Sequence, residues 1–137
     1  MATLVDTNVL IDVFHLGSPF EGWSVSRLAD AKREGALVIN PLIYAEMAAG
    51  FVLSSTLDAV LSPSAFQRED LPWEAAHAAG QAFLRYRKTG GDKRSPLPDF
   101  YIGAHAAVRG YRILTRDPVR YRQYFPSVEL ITPETHP

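Results

Sequence analysis

The segment MATLVDTNVLIDVF, residues 1–14, decides how the rest of the chain is read. Ala2 to Val5 form an apolar run of strand character that stops on a carboxylate, Asp6. Thr7 and Asn8 follow, and apolar residues resume at once, as they do where a short helix takes over from a strand. A carboxylate at the carboxyl end of a core strand stands where open parallel sheets build their sites.

Outward from this unit the pattern repeats. EGWSVSRLADAKREG (21–35) predicts a helix halted at Gly35, with Trp23, Arg27 and Asp30 alternating with Val25, Leu28 and Ala29. LVIN (37–40) is a β-branched strand, and Pro41 sits at the first position of a helix running towards Gly50. A short helix over 54–61 and a short strand within AFQRED (65–70) come next. Trp73, Ala76, Gly80, Phe83 and Arg87 recur at three- and four-residue spacing, which predicts one face of a long helix. TGGDKRSPLP (89–98) is the one evident loop. A small-residue helix, DFYIGAHAAVRG, a strand, YRIL, a helical turn or two, PVRYRQY, and a last strand, VELI, complete the chain. Such alternation predicts an α/β fold with a central, mainly parallel β-sheet flanked by helices, in a single domain spanning 1–137.

Bulk properties narrow the function classes. Hydrophobic residues make up 47% of the 137, enough for a sizeable core and too many for a disordered chain. With no cysteine, thiol catalysis, disulfides and thiolate metal sites are excluded. No apolar run approaches the ~20 residues of a membrane span. The start of the chain lacks the basic and long apolar regions of a signal peptide, so a soluble cytoplasmic protein is expected. Net charge is only −1 but unevenly spread: residues 1–84 carry a net −6 and residues 85–122 a net +7. A basic segment in a near-neutral protein suggests an anionic partner, unless those charges intermix with acidic faces on folding.

Four carboxylates carry the chemical argument. Asp6 and Asp117 end strands; Asp99 opens a helix after Pro98; Glu46 follows Leu42 and Ile43 at helical spacing and so shares their apolar-facing stripe. Each has an ordinary explanation. Asp6 and Asp117 are good helix caps, Asp99 suits a helix N-terminus, and Glu46 could reach water from the edge of its stripe. Taken together they favour a shared pocket, where four like charges call for a cation. Oxygen-only ligands point to Mg²⁺ or Mn²⁺ and not zinc, and such a site suits phosphoryl chemistry. Other phosphoryl-transfer plans fit less well. Asp6-Thr7-Asn8 lacks the second aspartate of a haloacid dehalogenase. Asp117 stands where a response-regulator receiver has lysine, and Gly90-Gly91 lacks the P-loop spacing. His15, His77, His105 and His136 are scattered, as surface or packing residues are.

With these residues in view, the sequence resembles the PIN-domain family, specifically its VapC-type toxin ribonucleases. The resemblance spans nearly the whole chain. Leu4-Val5-Asp6-Thr7-Asn8-Val9-Leu10 resembles the family's strand-ending motif, and Glu46 with Gly50 its helical second motif. Asp99 with Ile102, Gly103 and Ala104 resembles the third motif, and Leu114-Thr115-Arg116-Asp117 the fourth. The resemblance implies a PIN-like α/β sandwich and cleavage of RNA phosphodiester bonds dependent on Mg²⁺, with Mn²⁺ able to substitute. It also implies a homodimer and a VapB-type antitoxin that occludes the site. Asp6, Glu46, Asp99 and Asp117 would hold the metal and act as the catalytic set. Thr7, Asn8 and Thr115 would hydrogen-bond to a carboxylate, water or phosphate nearby. Some relatives carry a further carboxylate near the third motif, and residues 100–110 have none, which leaves the number of metal ions open.

Two other functions compete: a catalytically silent RNA-binding PIN module, and a DNA nuclease. The intact carboxylate set counts against a pure binder, and 137 residues leave little room for the clamps of structure-specific DNA nucleases. Within the basic segment, Arg85, Arg87, Lys88, Lys93 and Arg94 stand against Asp92 alone and are the candidates for holding an RNA backbone. Val13, Phe14 and Trp23 are apolar residues on short N-terminal helices, suited either to core or to a protein-facing surface.

Overall fold

The computed structural model describes residues 1–15 and 17–137. The chain runs β1 (Thr3–Val5), α1 (Thr7–Phe14), α2 (Glu21–Glu34), β2 (Leu37–Ile39), α3 (Pro41–Ala48), α4 (Ser54–Val60) and β3 (Gln67–Arg68). It continues through α5 (Trp73–Lys88), α6 (Pro98–Arg109), β4 (Arg112–Leu114), α7 (Val119–Tyr124) and β5 (Leu130–Ile131). The strands form one sheet in the order β3-β2-β1-β4-β5. Every pairing is parallel, so the sheet is fully parallel where the sequence predicted a mainly parallel one. In register, Leu4 lies between Val38 and Ile113, and Val5 faces Leu114.

Parallel sheets need cover on both faces. Accordingly every residue of β1, β2 and β4 is buried. The chain winds outward from β1 through β2 to β3, then returns to β4 on the other side. The winding therefore reverses between β1 and β4, and a crevice opens at the carboxyl ends of these two strands. Asp6 follows β1 there, and Thr115 to Asp117 follow β4.

Local sequence explains the ends of the helices around this crevice. Asn40 caps α3, its Oδ1 accepting from the Leu42 and Ile43 amides, with Pro41 at the first position. Gly110 ends α6 at φ 73°, a left-handed conformation suited to glycine. Gly103 faces the Phe125 ring so closely that a Cβ would collide with it.

Three expectations are corrected. The face of α5 turned inward is Ala75, Ala79 and Ala82, and Trp73 is 89% exposed. The alanine row lets α5 lie close against α6, and a three-four spacing in sequence cannot say which of two adjacent rows does so. On α3 the buried stripe is Ile43 and Met47. Glu46 is exposed beside it, because Met47 and not Glu46 completes the apolar row. Asp117 does not cap α7, whose first turn has no side-chain cap. Phe14 and Trp23 pack against the core. The Trp23 Nε1–H donates to the His136 carbonyl at 2.6 Å, so neither is a detached protein-facing residue. Among the described residues, no helix is long and apolar enough to cross a membrane.

Candidate active site

Asp6 is buried, 6% exposed, and held by four donors. Its Oδ2 accepts from Thr115 Oγ1 at 2.9 Å, Tyr121 Oη at 2.9 Å and Asn8 Nδ2 at 3.3 Å. Its Oδ1 accepts from the Thr7 amide at 2.8 Å, so Asp6 is also the N-cap of α1. Oδ2 is thus saturated, while Oδ1 keeps a lone pair. Burial raises the Asp6 pKa from 3.8 to about 6; the neighbouring Asp99 charge adds to the rise, and the hydrogen bonds from Thr115, Tyr121 and the Thr7 amide oppose it. The carboxylate that anchors the site therefore has a proton affinity far above that of a surface aspartate.

Asp6, Thr7, Asn8, Ile11, Glu46, Ala49, Asp99 and Asp117 line a single cleft of about 450 Å³. All four predicted carboxylates meet there although they lie as far apart in sequence as Asp6 and Asp117. Glu46 reaches it from α3, its Oε1 accepting from Thr7 Oγ1 at 2.8 Å. Asp99 projects from the first turn of α6. Burial raises its pKa, the Arg120 guanidinium lowers it, and Asp117 raises it further. Arg120 Nη1 lies 3.4 Å from Asp99 Oδ2. Among the described residues, it is the one cation paired with any of the four acids.

Thr7, Asn8 and Thr115 take supporting positions. Asn8 bridges two strand ends: its Nδ2 donates to Asp6 and to Thr115 Oγ1 at 3.2 Å, and its Oδ1 accepts from the Arg116 amide at 3.1 Å. Thr115 Oγ1 also accepts from the Asp117 amide at 3.0 Å, fixing the turn that carries Asp117.

Sequence reasoning missed several residues around the site. Tyr121 is buried; burial and the facing Asp6 and Asp99 charges push its pKa well above the ordinary phenol value, so its hydroxyl stays a donor. Asp12 is buried and accepts from Ser18 and Ser24 at 2.6 Å each and from Arg116. Those bonds outweigh its desolvation and hold it below the usual carboxylate range. The Arg116 guanidinium also stacks 4.7 Å from the Phe20 ring, which ties the loop after β4 to α1 and the segment before α2. Farther along the sheet edge, His105 Nε2 lies 2.9 Å from Glu69 Oε1 and its Nδ1 lies 3.0 Å from Asn40 Nδ2. Asn40 Oδ1 is taken by backbone amides, so Nδ2 is the donor and His105 carries its proton on Nε2.

The basic segment largely disperses. Arg109 pairs with Glu69, Arg112 with Glu34 and Arg116 with Asp12, charges drawn from the acidic first part of the chain. Arg85 and Arg87 donate to the Tyr124 and Lys93 carbonyls. Lys88, Lys93 and Arg94 are exposed, with no ion pair among the described residues.

Among the described residues, no three His, Cys, Asp or Glu side chains stand close enough to hold a metal ion as they are. The donor set nevertheless fits a hard divalent cation: it is all oxygen, Asp6 Oδ1 keeps a lone pair, and three of the four carboxylates are exposed or half-buried and able to turn inward.

A five-stranded parallel sheet with acids gathered where its winding reverses defines an α/β protein with an acid-lined crevice. The chain belongs to the PIN domain family, which matches residues 3–125. Its fold is similar to that of VapBC2 from Rickettsia felis, solved bound to a DNA fragment from its promoter, with a TM-score of 0.73 and 14% identity, covering 96% of this chain and 98% of that one. FitAcB from Neisseria gonorrhoeae is similar at a TM-score of 0.69 and 22% identity, again covering 96% and 98%. VapC20 from Mycobacterium tuberculosis, a sarcin-ricin loop cleaving toxin, is similar at 0.62 and 14%, covering 88% and 94%. At these identities the likeness is one of fold. No match was found among curated proteins.

Proposed function

We propose that the chain is a divalent-metal-dependent endoribonuclease, the toxin of a VapBC-type toxin–antitoxin pair, and that residues 1–137 form one PIN domain acting in the cytoplasm. The observation that carries this reading is the single cleft lined by Asp6, Glu46, Asp99 and Asp117, with Arg120 the one cation paired with them among the described residues. Membership of the PIN family and the likeness to VapC-containing complexes support it.

The four carboxylates would hold Mg²⁺, or Mn²⁺ in its place. When bound, such an ion supplies charge neutralisation for the phosphate and acidity for a water. This chain's residues do the rest. Thr115, Tyr121 and Asn8 hold Asp6 Oδ2, and the Thr7 amide holds Oδ1, so the carboxylate is kept in one orientation at the cleft. Thr7 donates to Glu46 and orients it, and the Thr115 hydroxyl, accepting from the Asp117 amide, fixes the turn that carries Asp117. Incubating the protein with single-stranded RNA and, in parallel, single-stranded DNA tests the reading. RNA fragments should appear with Mg²⁺ and vanish with chelator. Cutting of DNA alone, or binding of RNA without cutting under any metal, would refute it.

RNA backbone contacts are assigned to Arg85, Arg87, Lys88, Lys93 and Arg94. Lys88, Lys93 and Arg94 are exposed, whereas Arg85 and Arg87 already donate to carbonyls, and Lys93 and Arg94 stand together on the loop. Replacing both by alanine should reduce the slope of log affinity against log salt by about 1 to 1.5; an unchanged slope would put the RNA elsewhere.

The partners proposed are a VapB-type antitoxin and a second copy of the chain. Proteins of similar fold include a toxin–antitoxin complex from Klebsiella pneumoniae and a VapBC-family toxin–antitoxin member from Mycobacterium tuberculosis. Light scattering at micromolar concentration should give twice the monomer mass; a monomer throughout would rule out the homodimer.

A further inference from the structure

A second cleft, of about 280 Å³, is lined by Tyr86, Asp99, Asp117, Val119, Arg120, Gln123 and Tyr124. It shares Asp99 and Asp117 with the carboxylate cleft, so the two adjoin. Its chemistry is different. Val119 is 65% exposed, an apolar side chain left in water at the mouth. Gln123 is exposed and makes no hydrogen bond among the described residues. The Arg120 guanidinium lies 5.8 Å from the Tyr86 ring centroid while touching Asp99.

The Arg120–Asp99 pair is not explained by stability. With the arginine side chain 40% and the aspartate 31% exposed, and 3.4 Å between them, such a pair contributes little to folding. A guanidinium braced between a carboxylate and an aromatic face does keep its remaining N–H groups turned towards a ligand. A phosphate approaching four carboxylates needs such a cation. Beside it, an exposed apolar side chain and an amide that both donates and accepts are what an unstacked base requires. The volume, about 280 Å³, is on the scale of a single nucleotide.

We infer that this second cleft seats one unpaired nucleotide of the RNA beside the phosphate to be cut, with Arg120 facing its phosphate and Gln123 reading its base. The inference rests on the nuclease reading above. Tyr86 and Tyr124 are unsuited to testing it, because their rings pack with Phe83 and Phe100. The variants are Arg120→Ala, Arg120→Lys and Gln123→Ala.

Two measurements decide it. Binding of a fluorescein-labelled single-stranded RNA of random sequence is read by anisotropy in the Asp6→Asn background with Mg²⁺, so that no cutting intervenes. Adding Arg120→Ala should weaken binding about tenfold, with Arg120→Lys recovering part of the loss. In the otherwise unaltered protein, Gln123→Ala should flatten the base preference at one position beside the cut when a randomised RNA pool is digested. It should keep the rise in melting temperature caused by Mg²⁺, which a merely structural role would not predict alongside altered preference. Unchanged affinity in Arg120→Ala together with an unchanged cleavage pattern in Gln123→Ala would overturn the inference. Tighter binding of single-stranded DNA than of RNA would overturn its assignment to RNA. A parent protein that cuts no RNA would instead overturn the nuclease reading, a result visible before any variant is made.

Discussion

Asp6→Asn is expected to give a folded protein whose metal-dependent RNA cleavage falls about a thousandfold or more. A bound divalent ion contributes several kcal/mol to phosphoryl transfer, and each 1.4 kcal/mol is a factor of about ten in rate. Asparagine keeps the shape but loses the charge that would anchor the ion. The substitution discriminates because Asp6 is also the N-cap of α1, and asparagine caps a helix as well as aspartate does. A residue that served only as a cap would tolerate it. Part of the donor cluster around Asp6 loses an acceptor, which costs about 1 kcal/mol and leaves the fold standing. Asp99→Asn and Glu46→Gln should show comparable losses. Circular dichroism and a gel assay on single-stranded RNA with Mg²⁺ provide the check, and near-parental cleavage by folded Asp6→Asn would end the proposed mechanism.

The second large effect is on stability against pH. Asp6 titrates at 3.8 in its ordinary setting and about 6 when folded. Between those values the folded chain binds more protons than the unfolded one, so stability falls as pH rises through the window, by about 3 kcal/mol from this group. Asp12 and Glu69 are held below their ordinary values by the hydrogen bonds they accept, which outweigh their burial. Their contribution has the opposite sign and is lost only at more acid pH. About 1.4 kcal/mol of the Asp6 contribution is still present at pH 5 and almost none at pH 7.5, so in chelator the protein should melt roughly 5 °C higher near pH 5 than near pH 7.5. Mn²⁺ at a hundred times its Kd should restore at least that difference at pH 7.5, since it adds about 2.7 kcal/mol. Asp99→Asn should melt above the parent in chelator at pH 7.5, with one repelling charge gone, and gain less from metal. Melting curves indifferent to both pH and Mn²⁺ would show that the acids do not act as a set.

Much of this architecture is legible in the chain because its signals are local. Asp6 is marked by a strand that stops on it, and the βα alternation follows from runs of three to eight residues. Asp99 and Asp117 stand at element ends for the same reason. Glu46 was found as a residue but placed on the wrong face: Leu42, Ile43 and Met47 all compete to define the row, and packing against the sheet selects Ile43 and Met47. Tyr121 and Arg120 stayed hidden because each meets its acid only after the chain closes, Tyr121 with Asp6 from the far end of the molecule. The basic segment misled for a related reason. Its arginines find Glu34, Glu69 and Asp12 in three dimensions, and net charge along the sequence carries no record of that pairing.

The His105 cluster has a consequence for how the crevice moves. Asn40 caps the helix that carries Glu46, and His105 sits in the helix that carries Asp99. The imidazole therefore rivets the two helices, with Glu69 pinning its other side and the Tyr111 hydroxyl, at 2.6 Å, pinning Glu69 in turn. Fraying of α3 from its first turn would break the histidine link as well as the cap, so that turn opens only as part of a larger cooperative unit. Freedom to adjust to an ion or a nucleotide is left to side-chain rotation at Glu46, Asp99 and Asp117. The crevice thus has a stiff frame and turning teeth, and it can close on a ligand by picoseconds-to-nanoseconds rotamer hops without any travel of its walls.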